Sequence, residues 1–251
     1  MGELTPLAGL MLALLGLAGG IGITAIGPGG VLPTVGLVAL TTLTPAQVAG
    51  TAIATHVATG AVGTAAYVRS GQLRAPQART TARLLAGTAL IGTVAGIIVN
   101  SLLAPHVFSM LLGALVAAVA ALVLVRGRRR RARGHPSRTV VAVIGLLVAV
   151  TAGIVGIGGP MLTVPLLVAA GCEVLEALAA AQAQSVVIAT VGTVGYLLQG
   201  SIDWFLAVLI GIPELAGVLI GWRVARSLPT RTLRTAMVVA LFALAPYLAL
   251  H

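Results

Sequence analysis

The sequence contains few charged residues, few aromatic residues and only one cysteine. Charged residues make up 8% of its 251 residues and aromatic residues 3%, whereas hydrophobic residues make up 59%. A soluble domain needs roughly 25% charged residues to keep its surface in water, so this composition excludes an ordinary soluble protein and indicates a chain that faces lipid. The single cysteine, Cys172, excludes an internal disulfide and a metal site built from several cysteines. We expect no metal site and no cofactor.

The sequence also lacks lysine and any nucleotide-binding motif. The Gly-x-x-x-x-Gly-Lys-Ser/Thr sequence that cradles nucleotide phosphates is missing. If the protein moves a solute, it should therefore use existing gradients rather than ATP bound to this chain. The apolar stretch 7–20 follows no basic residue, so we expect no signal peptide.

All basic side chains other than histidine are arginines, and most of them lie in a few short segments. The formal net charge is +10, which at first suggests a nucleic-acid partner. The arginines stand between long apolar runs, however, as they do in the cytoplasmic loops of membrane proteins. We therefore expect no nucleic acid, and we expect residues 126–138 to lie in the cytoplasm and contact anionic lipid headgroups. The arginines of this segment are Arg126, Arg128, Arg129, Arg130, Arg131, Arg133 and Arg138.

Ten apolar segments are separated by polar residues, proline or glycine. Because a membrane helix needs ~20 mostly apolar residues, this pattern predicts an all-helical, polytopic membrane protein. Residues 1–125 and 139–251 form two transmembrane halves of five segments each, and residues 126–138 form a basic linker between them. The segments are 7–26, 31–43, 45–68, 78–99, 105–125, 139–155, 160–170, 174–198, 204–225 and 233–250.

The two halves are related by an internal repeat. Adding 129 to a residue number in the first half carries three glycines, a threonine and a tyrosine onto identical residues of the second half. These pairs are Gly27 and Gly156, Gly29 and Gly158, Gly30 and Gly159, Thr34 and Thr163, and Tyr67 and Tyr196. A shared register of this length indicates an internal duplication.

The charges of the loops predict that the two halves have opposite orientations in the membrane. The loop after the third segment carries Arg69, Arg74 and Arg79, so it should be cytoplasmic. The equivalent loop of the second half, around Gly200, contains no arginine and should lie outside. Equivalent loops on opposite faces make the two five-segment repeats inverted, which is a recurring transporter architecture. Both termini are then expected on the periplasmic side of a bacterial cytoplasmic membrane.

A glycine-rich tip joins the first two segments of each repeat. The first tip is residues 27–30, Gly-Pro-Gly-Gly, and the second tip is residues 156–159, Gly-Ile-Gly-Gly. A short segment follows each tip, which allows either two full crossings or, as we favour, a re-entrant hairpin with a buried tip.

A glycine tip that opens a helix is suited to binding an anion. Glycine lets the backbone approach a ligand closely, and the first turn of a helix offers free N–H groups and a positive dipole end. Two tips that face each other near the midplane would hold a small anion without lysine or arginine. The alternative is that these glycines only allow close helix packing. The candidates are Gly27, Gly29, Gly30, Gly156, Gly158 and Gly159.

Polar side chains inside the predicted spans are further candidates for the anion path. Thr55 and His56 lie in the third segment, and Gln184 and Ser185 occupy the equivalent positions of the second half. These side chains could donate hydrogen bonds to an oxyanion. Alternatively, they bond back to the preceding helical turn or tie neighbouring helices together.

Two ionisable residues inside the spans are candidates for proton coupling. His56 titrates near neutral pH. Glu176 should lie at the cytoplasmic surface, so Glu214 is the one carboxylate expected inside a span, where burial favours its protonated form. Alternatively, Glu214 pairs with a basic group such as Arg223 or only packs locally. Asp203, at an aqueous end, should cap the helix that begins at Trp204.

The order of these motifs resembles the TauE/SafE family, the sulfite exporter family of bacterial and related membrane proteins. In the second half the resemblance rests on the second tip with Pro160, then Pro165-Leu-Leu, Glu176-Ala-Leu, and the sequence from Tyr196 to Asp203. In the first half it rests on the first tip, Ala49-Gly50-Thr51-Ala52, and the sequence from Tyr67 to Gly71. The resemblance implies transport, usually outward, of sulfite, thiosulfate or small organosulfonates.

Taken together, the sequence predicts a secondary transporter and not an enzyme. The expected activity is export of a small sulfur-containing anion by alternating access around a midplane site. A passive anion channel is the nearest alternative, and a membrane scaffold is another. A hydrolase with Ser185 as nucleophile and His56 as base is a less favoured alternative. The oligomeric state cannot be predicted from the sequence.

Overall fold

Helices account for all regular structure in the described part of the chain. A computed structural model describes residues 4–127 and 135–229, together with Thr232 and Thr235. A 3₁₀ turn, Pro28–Val31, lies between the first two helices. The helices are α1 (Pro6–Ala25), α2 (Leu32–Leu40), α3 (Pro45–Arg69), α4 (Pro76–Asn100), α5 (Pro105–Gly127), α6 (Arg138–Val155), α7 (Pro160–Ala169), α8 (Val174–Leu198) and α9 (Trp204–Ser227).

Five of the described helices, α1, α4, α6, α8 and α9, are long and apolar enough to cross a membrane. Helix α3 is as long as α4 but is outside this group. The prediction of an all-helical fold is confirmed for the described residues, and the five apolar helices fit a multi-pass membrane protein. The predicted segment 233–250 and most of the arginines of the linker lie outside the described residues.

The helices begin where proline and small polar residues predict. Pro45 stands at the start of α3, where its fixed φ and missing N–H cost nothing. Thr44 caps this helix: its Oγ1 accepts from the Gln47 N–H, while Gln47 Oε1 accepts from the Thr44 N–H. Asp203 caps α9 as predicted, because its Oδ1 accepts from the Leu206 N–H at 3.0 Å.

Two short helices, α2 and α7, follow the two glycine tips. They contain 9 and 10 residues, so each is roughly 15 Å long, about half the ~30 Å thickness of a bilayer core. The chain reverses sharply before each of them, because Gly27 and Gly156 adopt φ angles of 102° and 72°. Side chains other than glycine rarely adopt this left-handed backbone.

Helices of the first half pack against helices of the second half. Helix α1 of the first half lies along α9 of the second, α4 of the first lies along α6 of the second, and α3 meets α8. Glycines permit these approaches: a Cβ atom on Gly20, Gly96 or Gly217 would collide with the backbone of the facing helix. Close packing through small residues is typical of membrane helices, so most glycines outside the tips have a packing role.

Equivalent turns of the two halves lie at opposite ends of the molecule. The turn between α8 and α9 contacts the start of α3, where the Asp203 N–H donates to Thr51 Oγ1 at 2.9 Å. From Thr51, α3 continues for about five turns, or roughly 27 Å, before it ends at Arg69. The turn between α3 and α4 is therefore distant from the turn between α8 and α9.

The described arginines with defined side chains gather at one end, which we term the arginine end. Helix α9 begins at the opposite end with Trp204 and carries its arginines in its last turns. Helix α8 runs toward that opposite end, so its first turn, with Glu176, lies at the arginine end. His135 contacts Glu176 and so brings the start of α6 there too. The arginines are Arg69, Arg74, Arg79, Arg83, Arg138, Arg223 and Arg226.

Candidate functional site

The two glycine tips contact each other in the interior of the protein. Both tips are buried. A Cβ atom placed on Gly30 would lie 3.5 Å from the Gly158 nitrogen, and one placed on Gly27 would lie 2.9 Å from the Pro160 carbonyl oxygen. Thr34, behind the first tip, donates its hydroxyl to the Gly156 carbonyl at 3.3 Å. The two corners predicted from the repeat therefore come together at one place.

The tip glycines have two different kinds of surroundings. A Cβ atom on Gly29 would collide with the backbone of α1 at Gly22 and Ile23, and one on Gly156 would collide with Ala49. These two glycines are needed for packing whether or not an anion binds. Gly158 is different, because a Cβ there would lie 3.3 Å from both the His56 ring and Ser185 Oγ.

Gly159 also faces polar atoms of the second half. A Cβ atom on this residue would lie 3.3 Å from the Ala181 carbonyl oxygen and 3.4 Å from Gln184 Oε1. Together with Gly158, this glycine lets the backbone of the second tip pack closely against polar atoms of α3 and α8. Gly158, which lies beside the His56 ring and the Ser185 hydroxyl, therefore fits the predicted role of backbone donor better than Gly29 or Gly156, whereas Gly159 faces two acceptor oxygens.

His56 joins the first tip to α9. Its Nε2 lies 3.2 Å from the Gly30 carbonyl oxygen, and its Nδ1 lies 2.9 Å from Glu214 Oε1. A carbonyl oxygen only accepts, so Nε2 carries a proton. One further proton lies between Nδ1 and the carboxyl group, either on the imidazole or on Glu214. The pair therefore exists as His⁺ with Glu⁻ or as two neutral groups.

Glu214 is fully buried, and its partner is not the one that the sequence suggested. Glu214 pairs with His56 and not with Arg223, whose side chain is exposed. Its Oε2 atom is buried without a hydrogen-bond partner among the described residues. Within that part of the chain, His56 and Glu214 are the only buried side chains of the His, Asp, Glu, Lys and Arg types.

Gln184 ties the second hairpin together. Its Oε1 accepts from the Thr163 hydroxyl at 2.5 Å, and its Nε2 donates to the Gly145 carbonyl at 3.0 Å. These bonds join α8 to α7 and α6, so in this conformation the amide of Gln184 is already engaged. Ser185, the next residue, is buried beside Gly158.

The hydroxyl of Thr55 bonds within its own helix. It donates to the Ala52 carbonyl at 2.9 Å and lies 3.4 Å from His56 Nδ1. This is the back-bonding alternative that the sequence left open. Whether Thr55 also contacts an anion stays a prediction, as does the role of Gln184.

The sequence reasoning missed two threonines of the site. Thr34 and Thr163 are repeat equivalents, both are fully buried, and both bond to groups of the second half close to its tip. The signal was available, because the repeat comparison aligns them just after the tips. It was missed because a threonine in a short apolar segment looks like an ordinary packing residue.

The comparison with known protein families gives one match. The family model described as sulfite exporter TauE/SafE matches residues 12–248, which is nearly the whole chain. Neither the curated proteins nor the solved structures contain a significant match.

Proposed function

The chain belongs to the sulfite exporter TauE/SafE family, and from this premise we propose that it is a secondary transporter that exports a small sulfur-containing anion. The anion is sulfite, thiosulfate or an organosulfonate, and it binds where the two glycine tips meet. The observation that carries the proposal is the contact between these tips, together with the hydrogen bond from the His56 ring to the Gly30 carbonyl.

Three observations support an inverted repeat. In the repeat, α1 is equivalent to α6 and α4 is equivalent to α9. The packing of α1 on α9 and of α6 on α4 is therefore the same contact seen once from each half. Tyr67 donates to the Thr24 carbonyl at 2.5 Å, and Tyr196 donates to the Gly153 carbonyl, the equivalent group, at 2.7 Å. Equivalent turns also lie at opposite ends, with the described arginines at one of them.

We propose that the arginine end is cytoplasmic, because positive residues are retained on that side of a membrane. The chain then resides in a bacterial cytoplasmic membrane with both termini in the periplasm, and the arginines of residues 126–138 contact anionic lipids. Under this arrangement the axis that relates the repeats lies in the plane of the membrane.

The contact between the tips supports a site at half the membrane depth. Two equivalent points that touch each other must both lie near the axis that relates them. In an inverted repeat this axis runs through the middle of the bilayer. The hairpins are then re-entrant, and their irregular backbone is tolerated at this depth because protein surrounds it.

Helix ends supply the attraction for the anion. At the start of α7, Pro160 has no N–H and the Leu162 N–H donates to the Gly159 carbonyl at 3.3 Å, so the first turn offers the Met161 N–H as its donor. The helix dipole places partial positive charge at the second tip. The oxyanion is proposed to contact the backbone at Gly158, where the Ser185 hydroxyl lies close by as an additional donor. This arrangement binds an anion with no buried arginine, which suits a solute that must leave again.

Proton coupling is proposed for the His56–Glu214 pair. With one proton between them the pair is neutral overall, and a second proton makes its net charge +1. In a low-dielectric interior this charge attracts an anion at the adjacent tip. Uptake of the anion and of one proton are therefore favourable together.

The other functions that the sequence allowed are less well supported. Both nitrogens of the His56 ring lie close to atoms other than Ser185, which argues against a Ser185–His56 hydrolase. A scaffold gives no reason for a buried ionisable pair beside two glycine tips. A passive channel uses the same site and is distinguished by kinetics: anion flux into liposomes saturates for a carrier and is steeply temperature-dependent.

Substitution at the second tip tests the site. Gly158→Leu should abolish sulfite-dependent thermal stabilisation and sulfite flux, because even its Cβ would lie 3.3 Å from both the His56 ring and Ser185 Oγ, and the longer side chain would displace them. Gly87→Leu is the matched control, since a Cβ at this exposed position in α4 meets nothing within 4 Å. Undiminished binding of sulfite, thiosulfate and organosulfonates by a folded Gly158→Leu variant would refute the proposed site.

A further inference from the structure

Three metal-binding side chains come together at the arginine end, away from the glycine tips. His135 precedes α6, Cys172 lies in the turn between α7 and α8, and Glu176 lies in the first turn of α8. We propose that these three side chains bind a divalent transition-metal ion of the Zn²⁺ class. The proposal is independent of the transported anion, and it departs from the expectation that the chain has no metal site.

The geometry is close to that of a tetrahedral site. One donor atom from each of the three side chains lies within 4.8 Å of the other two. Ligands of a tetrahedral Zn²⁺ ion lie 2.0–2.3 Å from the metal, and hence about 3.3 to 3.8 Å from one another. His135 Nδ1 and Glu176 Oε1 are already 3.4 Å apart. Shifts of about 1 Å would bring the third donor, the Cys172 sulfur, to bonding distance.

Side chains that bind metals are rare in this sequence, so finding three of them together is informative. The chain has one cysteine, four histidines and five acidic residues among 251 positions. The single thiol lies beside a histidine from the linker and a glutamate from α8, so two distant segments supply the three ligands. Nitrogen, sulfur and carboxylate oxygen are the ligand types that Zn²⁺ takes in proteins.

The carboxyl group of Glu176 provides a further observation that favours a cation. Its Oε1 atom is buried and makes no hydrogen bond among the described residues beyond the 3.4 Å contact with His135 Nδ1. A bound metal ion stabilises the thiolate directly and offsets the negative charge of Glu176.

The place of the cluster suggests what the ion does. His135 belongs to the segment that joins the two halves, whereas Cys172 and Glu176 flank the start of α8. A metal ion would fix the end of the linker to the second half. Three protein ligands leave one position of a tetrahedral ion open for water.

Cobalt is a suitable spectroscopic probe of this site. Co²⁺ bound by a thiolate gives a charge-transfer band in the near ultraviolet, and Zn²⁺ added afterwards should remove the band. We expect tag-free wild-type protein in detergent to show this band at stoichiometric Co²⁺. His135→Ala and Glu176→Gln should weaken Co²⁺ binding by about tenfold or more.

A second histidine provides the matched control. His106, exposed in the first turn of α5, lies outside the cluster, so His106→Ala should bind Co²⁺ as the wild type does. Cys172→Ser should lose Zn²⁺ affinity in calorimetry, and thermal unfolding without metal checks that each variant is folded. The absence of a charge-transfer band in the wild type overturns the proposal, as does unchanged affinity in folded His135→Ala and Glu176→Gln. Neither result bears on the anion site.

Discussion

His56 lies where the two glycine tips and the buried carboxyl group of Glu214 come together. Its ring contacts the Gly30 carbonyl of the first tip and the Glu214 carboxyl group of α9, and it lies beside Gly158 of the second tip. A change in the protonation of the His56–Glu214 pair therefore changes the electrostatic potential at both tips. No other buried pair of ionisable groups is present in the described part of the chain.

Removal of the ionisable pair should uncouple anion binding from pH. In the wild type, sulfite binding should strengthen as the pH falls from about 8 to 5.5, by up to about tenfold per unit, because a second proton enters the pair. The ionisation of sulfite itself is corrected for with an organosulfonate, whose charge is constant over this range. The double variant His56→Gln and Glu214→Gln should bind the organosulfonate with an affinity that does not depend on pH.

Calorimetry of the two proteins at several pH values provides the measurement. A double variant that keeps the wild-type pH slope would assign the coupling to other groups. The single variants separate the contributions of the imidazole and the carboxyl group.

The sequence indicates which single residues are unusual, but it does not indicate which of them contact each other. His56 and Glu214 stand out because ionisable side chains are costly in apolar spans. Their contact was not predictable, because it joins α3 to α9 and leaves no local pattern. The sequence also could not distinguish Gly29, which packs on its own hairpin, from Gly158, which faces polar side chains.

At the level of elements, the helices were predictable because the signals are local. Long apolar runs, N-terminal prolines and capping threonines mark the ends of α1 and α3, and glycines with left-handed backbone mark the two tips. How the helices pair was harder to predict, since the packing of α1 on α9 is set by facing glycines far apart in the chain.

The turns that follow α3 and α8 provide a test of the inverted arrangement. In a Cys172→Ser background, single cysteines at the equivalent positions Gln72 and Ser201 should lie on opposite faces of the membrane. A membrane-impermeant thiol reagent added to intact cells should label Ser201→Cys and leave Gln72→Cys unlabelled until the cells are opened. Labelling of both positions from outside would exclude the inverted orientation.

At the scale of the whole molecule, the two halves are alike in fold and different in chemistry. The repeat aligns His56 with Ser185 and Glu214 with Leu85, so only one half supplies each member of the ionisable pair. In the proposed mechanism both tips contribute to the anion site, and the His56–Glu214 pair between α3 and α9 carries the proton. This asymmetry suits alternating access, in which one half moves relative to the other around a common site.

The central claim, an anion held between the two tips, is tested most directly by locating a bound anion. Selenite has the shape and charge of sulfite, and its selenium scatters anomalously, so soaked crystals reveal its position. We predict an anomalous peak at the glycine tips, beside Gly158 and the first turn of α7. A peak confined to the arginine end, with none between the tips, would contradict it.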